Sequence, residues 1–303
     1  MSAAVEVVGQ AEARAPRRMS PIGLGLRALA LWVTVLVASA VASKLVPITM
    51  AVPKQDGPLS VLGAFLVVNG LIAVALSFVA ARARVSGWRL AVLLFIAFFG
   101  IGSAMMQIET LYFNESIKMP VPVILALVKQ TAITAAVTAA VGAVLFRHGA
   151  REPLPVPSQM TLRIAALALT YVVLYYSAGY FIAWQSEAVR AYYGNGVHIE
   201  LLPTVAFQIF RGTLWALISL YIVTRIDGSL ACRAGIMAVL FAALTAPQLL
   251  YPNPLVPWAV RQVHLVEVGS SEFVYGILAT LILLAGAARN RLASTSAWRF
   301  IAA

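Results

Sequence analysis

The sequence predicts an all-α integral membrane protein, a polytopic bundle of about eight transmembrane helices with both termini in the cytoplasm. Of its 303 residues, 61% are hydrophobic and only 11% are charged, and the mean hydropathy is +0.90. A soluble domain is nearer to about 45–50% apolar and about 25% charged. The apolar residues also lie in long uninterrupted runs. We therefore expect lipid to be the solvent for most of the chain.

Eight of these runs are long enough to cross a bilayer, because a helix rises about 1.5 Å per residue and a hydrocarbon core of about 30 Å takes about 20 residues. Backbone in lipid must satisfy its own hydrogen bonds, and the hydropathy is too continuous for an outer-membrane barrel, so the runs predict helices. Pro247 should kink the seventh helix near its outer end. The runs cover residues 28–48, 59–80, 90–112, 121–146, 162–184, 202–224, 234–250 and 263–287.

The charges between the runs predict the orientation. The N-terminal flank, every second connection and the C-terminal tail are basic, whereas the other connections carry few cations, mostly mixed with acids. This alternation places the basic connections in the cytoplasm, and an even number of spans agrees with both termini lying there. The arginines concerned are Arg14, Arg17, Arg18, Arg27, Arg82, Arg84, Arg89, Arg147, Arg151, Arg163, Arg225, Arg233, Arg289, Arg291 and Arg299.

One transmembrane domain is predicted over residues 21–291, between a disordered cytoplasmic tail at 1–20 and a cytoplasmic tail at 292–303. A second interpretation concerns the first run, because two arginines, an apolar stretch and the small residues Ala40–Ser43 also resemble a signal peptide. Cleavage there would leave seven spans. The apolar stretch is long for a signal peptide, which favours a retained helix.

The composition also limits partners and location. The net charge is +11, but the Lys and Arg residues are spread singly between apolar runs, so nucleic acid is not an expected partner. The expected partners are the lipid bilayer and a small solute or lipid. The single cysteine, Cys232, excludes an intramolecular disulfide and a cysteine metal cluster. Abundant Ala, Val and Arg with only four lysines indicate a bacterial chain, and hence the cell inner membrane.

One arginine is predicted to lie deep in the membrane. Arg211 lies 14 residues before Arg225, which is about 21 Å along a helix. A charge at this depth costs about 2.5–3.5 kcal/mol on insertion scales, so it must meet an anion or water. Counted from the cytoplasmic end of each helix, Glu272, Glu109 and Glu267 lie at about 25, 30 and 33 Å. Glu272 is nearest to Arg211 in depth, and the simplest arrangement is a polar cavity that opens outward and narrows toward Arg211.

The predicted outer end of the last helix carries a second set of polar residues. His264, Glu267 and Ser271 lie within about 60° of one another on a helical wheel. Such a stripe could line one wall of the cavity. The alternative is that His264 and Glu267 are interfacial residues where the helix emerges into water. The corresponding alternative for Arg211 is a structural ion pair between two helices.

Three further side chains complete the candidate set of ligand-binding or ion-pairing residues. Gln107 and Lys129 lie about 27 Å from the cytoplasmic ends of their helices, and Gln208 lies in the same helix as Arg211. Lys129 has an alternative interpretation, in which its stem lies along lipid and its ammonium group reaches the outer headgroups.

No motif points to a catalytic residue, a metal or a cofactor. The sequence contains no phosphate-binding glycine loop, nucleophile elbow or HExxH motif. Only His198 and His264 are predicted outside, too few for a diheme cytochrome. A metal site built from both histidines with Glu109 and Glu267 is conceivable but weakly supported. We therefore expect neither a metal nor a cofactor.

Three functional classes fit these observations. The first is a transporter or permease for a small anionic, zwitterionic or amphiphilic solute, with Arg211 and the acids as its site. The second is a membrane-embedded enzyme that acts on a lipid or peptide of the outer leaflet, with a glutamate as base. The third is a scaffold or accessory subunit. The deep cation and the missing catalytic motif favour transport, whereas the outward placement of the polar residues favours an enzyme.

Overall fold

The computed structural model of the chain describes residues 19–147, 149–156, 158–194 and 200–285. The predicted tails, residues 1–20 and 292–303, lie outside this part except for Met19 and Ser20. The described residues form helices joined by short connections, with two isolated β-bridges and no strand. The helices are α1 (Pro21–Leu45), α2 (Val61–Ala81), α3 (Trp88–Phe95), a π-helical segment (Ile96–Ala104), α4 (Met105–Tyr112), α5 (Asn114–Ile117), α6 (Val121–Leu145), α7 (Met160–Phe181), α8 (Glu187–Tyr193), α9 (Leu201–Val223), α10 (Leu230–Thr245) and α11 (Trp258–Leu284).

Eight helical stretches in the described part are long and apolar enough to cross a membrane. Five are single helices, α1, α2, α6, α9 and α11. The third joins α3, the π segment and α4 over Trp88–Tyr112, the fifth extends α7 to Gln185, and the seventh extends α10 to Leu250 through a 3₁₀ turn that contains Pro247. The predicted all-α polytopic bundle is therefore confirmed, and the chain is a multi-pass membrane protein.

The first and last helices begin earlier than the apolar runs, at Pro21 and Trp258 instead of residues 28 and 263. The Ser20 hydroxyl accepts a hydrogen bond from the backbone of Gly23, and Pro21 at the first helical position has no N–H that would need an acceptor. Pro257 directly precedes α11 at its N-cap position, and Arg261 then lies inside the helix. Hydropathy missed both starts because each contains an arginine.

Two glycines bring the later helices into backbone contact. A β-carbon at Gly276 of α11 would lie 2.6 Å from the backbone of Met237 in α10, and one at Gly212 of α9 would lie 2.7 Å from the carbonyl oxygen of Ala168 in α7. Small residues at helix crossings allow such close approach in membranes, where dispersion contacts replace the hydrophobic effect between helices. The four helices that meet in these contacts carry most of the candidate site.

One end of the bundle is held together by a single aspartate. The Asp227 carboxylate lies 3.0 Å from Arg84, 2.9 Å from Arg151 and 3.9 Å from Arg233. Arg84, Arg151 and Asp227 belong to the second, fourth and sixth connections between spans, which the charge pattern predicts to be cytoplasmic, and Arg233 lies in the first turn of α10. We call this end the Asp227 end. The connections meet at one end of the bundle, whereas the side of the membrane on which they lie remains a prediction.

The opposite end is held together by a buried arginine, Arg261. Its side chain is 1% exposed and forms an ion pair of 2.7 Å with Asp56 in the first connection. Because α2 runs from this connection to Arg82, the two clusters lie at opposite ends of the molecule. We call this second end the Asp56 end.

Candidate polar site inside the membrane

Arg211 is buried in the middle of α9 and is 1% exposed. Its Nη2 donates to the Glu109 carboxylate at 2.8 Å and to the Met105 carbonyl at 3.3 Å, and its Nη1 donates to Gln208 Oε1 at 3.1 Å. The guanidinium also lies 5.5 Å from the centre of the Tyr171 ring. The direct ionic partner is thus Glu109 of α4, and not Glu272, the acid nearest to Arg211 when depth is counted along ideal helices.

The π segment reduces this difference in depth. A π-helix places more residues in each turn than an α-helix and so advances less per residue, which brings Glu109 deeper than a count at the α-helical rise gives. Its wider turns also expose carbonyl groups. The Gly102 carbonyl accepts a hydrogen bond of 2.5 Å from Gln248, whose amide also donates to Leu244. Local π-helix occurs frequently at functional sites.

Several buried polar atoms around Arg211 have no hydrogen-bond partner among the described residues. They are Arg211 Nε and Gln208 Nε2, which are donors, and Glu272 Oε2, which is an acceptor. Gln107 Oε1 is also unpaired, but Gln107 is two residues from Glu109 and therefore projects from nearly the opposite side of α4. Leaving one such group unpaired in an apolar interior costs about 1–3 kcal/mol, so three of them in one region need an explanation.

Glu272 approaches the arginine from a third helix. It lies in α11, is 7% exposed, and is within electrostatic range of both Arg211 and Glu109. The side chain of Glu109 is 25% exposed, in contrast. The arginine and Glu272 are therefore sealed in this conformation, and Glu109 connects them to the surface.

Aromatic rings close the site on the side that faces the Asp227 end. Tyr171, Trp215, Phe241 and Tyr275 come from α7, α9, α10 and α11, and all four are buried. Tyr171 and Tyr275 meet edge to face at 5.6 Å, and Phe241 lies 5.1 Å from Trp215 and 5.4 Å from Tyr275. We call these four residues the aromatic floor. Their ring contacts occupy the interior on this side of the site.

A second polar cluster lies toward the Asp56 end. His264 Nδ1 is 2.5 Å from Glu267 Oε2, and His264 Nε2 is 3.4 Å from the hydroxyl of Tyr193 in α8. When Nδ1–H donates to the carboxylate, Nε2 is left as an acceptor for the tyrosine. Burial raises the pKa of Tyr193 above its ordinary value, and the neighbouring Tyr192, Glu267 and Glu109 raise that pKa further, so the hydroxyl keeps its proton. The Glu267 carboxylate packs against α7 at Gly179.

The structure brings most of the predicted site residues together but not all of them. Arg211 directly contacts Glu109 and Gln208, and Glu272 is close by. His264 and Glu267 form a separate hydrogen-bonded pair toward the Asp56 end. Lys129 of α6 makes no ion pair or side-chain hydrogen bond within the described residues. This position is compatible with an ammonium group that reaches toward headgroups.

The described residues contain no group of three or more His, Cys, Asp and Glu side chains that could hold a metal ion. His198, a ligand of the conceivable metal site, lies outside the described residues. The chain matches no protein-family model, and no curated protein and no solved structure is significantly similar to it. The site must therefore be interpreted from its own chemistry.

No role was predicted for Arg261 from the sequence. All five N–H groups of its guanidinium have acceptors: Nε donates to Val256, Nη1 to Leu249 and Tyr251, and Nη2 to the backbone and carboxylate of Asp56. The signal that could have revealed it is Pro257, because a helix that starts there places Arg261 one turn inside.

The comparison of the two buried arginines shows what the site can do. Every N–H group of the Arg261 guanidinium has an acceptor within the protein, as expected for a structural residue. Arg211 keeps an unpaired Nε–H, next to an unpaired amide donor of Gln208 and within electrostatic range of the unpaired Glu272 acceptor. Such a site has unpaired hydrogen-bond donors and acceptors. It can hold a small polar molecule or transfer protons between its carboxyl groups.

Proposed function

We propose that the protein is a carrier of the cell inner membrane that binds a small charged solute at Arg211, Glu109 and Glu272. The observation that carries this proposal is the incomplete saturation of Arg211. Burying a guanidinium in the membrane is costly, and each unpaired neighbour adds to that cost. A purely structural ion pair would gain nothing from unpaired donors and acceptors, whereas a binding site needs them for its ligand.

The surroundings of the site support this proposal. Tyr193, His264 and Glu267 form a polar cluster toward the Asp56 end, and the aromatic floor lies on the side toward the Asp227 end. A solute would thus enter from the Asp56 end, which the charge pattern predicts to face outward, with both termini in the cytoplasm. Carriers open their two sides alternately, and interrupted helices near the binding site are typical of them. The third and seventh spans are interrupted in this way, by the π segment and by the 3₁₀ turn at Pro247.

The test is solute uptake by liposomes that contain the purified protein. The vesicles are incubated with a defined mixture of small carboxylic acids, amines and amino acids, and their contents are analysed by mass spectrometry. We expect at least one solute to accumulate above the level of protein-free liposomes, and Arg211→Gln to abolish this uptake.

Lys129→Gln is the matched control, since it also removes one cation at a comparable predicted depth but lies outside the site. It should leave uptake unchanged. Undiminished uptake by Arg211→Gln, or the absence of uptake for every solute in the mixture, would refute the carrier proposal.

A second candidate function, a membrane-embedded enzyme, is favoured by the His264–Glu267 pair. A carboxylate that orients a histidine and leaves its other nitrogen as an acceptor is the arrangement of a general base, and here Tyr193 is the group whose hydroxyl faces that nitrogen. Its substrate would be a lipid or peptide of the outer leaflet that reaches His264 beside Tyr193. In that case purified protein should convert such a substrate in vesicles, and His264→Gln should abolish the conversion while Lys129→Gln does not. Uptake that depends on Arg211 but not on His264 would favour the carrier instead.

A further inference from the structure

The site has more carboxyl groups than cations. One guanidinium, Arg211, faces Glu109 and Glu272, with Glu267 further toward the Asp56 end. A purely anionic solute would add a further negative charge to a site that already has more carboxyl groups than cations. The site therefore favours a ligand that brings a positive charge of its own.

The unpaired atoms fall into two chemical sets. Arg211 Nε and Gln208 Nε2 are donors on the same helix, α9, and they suit the two oxygens of a carboxylate. Glu272 Oε2 on α11 is an acceptor, and it suits an ammonium group. A ligand with an acidic and an amino end would satisfy both sets.

Glu109 already shows how the acidic end would bind. Its carboxylate lies on Arg211 Nη2 at 2.8 Å while its side chain remains 25% exposed. An incoming carboxylate can replace it on the guanidinium, using Nε together with Nη2 in the two-pronged geometry that arginine prefers. The displaced Glu109 is then free to face the ligand's ammonium group, as Glu272 does.

We propose that the ligand of this site is a small zwitterion with one carboxylate and one ammonium group, and that its carboxylate displaces Glu109 from Arg211. This inference rests on the proposed carrier function and narrows its substrate class. The carboxylate would be bound by Arg211 and Gln208. The ammonium group would be bound by Glu272 and Glu109.

The experiment measures the thermal melting of the full chain in lipid nanodiscs with five probes: glycine, 4-aminobutyrate, acetate, methylammonium and decanoate. A ligand that binds the folded state raises the melting temperature in a concentration-dependent way. We expect one of the two amino acids to bind about tenfold more tightly than acetate or methylammonium. Decanoate tests whether the carboxylate comes from a lipid-like acid instead of a free solute.

Two variants keep the test informative even if changes at Arg211 impair folding. Glu272→Gln preserves the size of the side chain and should weaken binding of the amino acid about tenfold, whereas Lys129→Gln should not alter it. The inference is overturned if acetate or decanoate binds as tightly as the best amino acid, if none of the probes shifts the melting temperature, or if Glu272→Gln binds like the wild type.

Failure of this inference can be told apart from failure of the carrier proposal. Binding of an amino acid without uptake into liposomes would support the zwitterion-binding site and refute the carrier function. Arg211-dependent uptake of a carboxylate that lacks an amino group would support the carrier function and refute the inference that its substrate is a zwitterion.

Discussion

Arg211 and Arg261 are both arginines buried in helices, yet their surroundings give them different roles. Arg261 has an acceptor for every N–H group and joins the first connection to the last helix. Arg211 has an ionic partner whose side chain is partly exposed and an Nε–H without a partner. The number of saturated donors, and not burial, separates the two.

This difference predicts unequal losses of stability. Arg261→Met leaves the carbonyls of Val256, Leu249 and Tyr251 without their donor and should lower the free energy of unfolding by about 3–5 kcal/mol, the usual loss for breaking a buried pair. Arg211→Met should cost less, because Glu109 can turn toward solvent. Unfolding of both variants in detergent micelles, followed by circular dichroism, measures the difference. Equal losses, or a larger loss for Arg211→Met, would contradict the assignment of roles.

At the scale of helices, the π segment depends on a neighbour. Gln248 from the turn after α10 is the donor for the Gly102 carbonyl. Gln248→Leu should leave that carbonyl unpaired and destabilise the protein by about 1–3 kcal/mol. Hydrogen–deuterium exchange should be faster in peptides that contain residues 96–104. Gln185→Leu, which removes an exposed amide bonded within its own span, is the control and should leave this exchange unchanged.

Helix packing makes a second prediction at this scale. Gly276→Ala places a methyl group 2.6 Å from the backbone of Met237, so α10 and α11 must separate, at a cost of about 1–3 kcal/mol. Gly235→Ala in α10 meets nothing within 4 Å and should be neutral or stabilise by up to about 1 kcal/mol through helix propensity. Melting temperatures of the two variants provide the comparison, and a tolerated Gly276→Ala would show that the crossing is looser than described.

Hydropathy and charge predicted the helices well, because a bilayer imposes a length and an apolar composition on each span. They predicted the partner of Arg211 less well. The choice of Glu109 over Glu272 depends on how the helices pack, and no pattern among the residues Ile96–Ala104 predicts the π segment. The role of Arg261 was hidden because the start of α11 is set by Pro257 and not by the first apolar residue. Contacts between distant connections, such as Asp227 with Arg84, need the folded chain.

For the whole molecule, the charge pattern predicts that the Asp227 end lies in the cytoplasm and the Asp56 end outside. The test uses single cysteines at residues 56 and 151 in a chain with Cys232→Ala, labelled in intact cells with a maleimide that cannot cross the membrane. We expect labelling at 56 only, and labelling at 151 after the cells are opened. The reverse pattern would invert the orientation and with it the direction from which a solute enters.

The Asp56–Arg261 pair joins residues that are 205 positions apart in the chain. Nearly the whole chain must therefore be synthesised before this ion pair can form, and Asp56 has no partner while the intervening spans are inserted. The same late segment, α11, also supplies Glu272. Chains that end before α11 would carry Arg211 with Glu109 but would lack the closing contact at the Asp56 end.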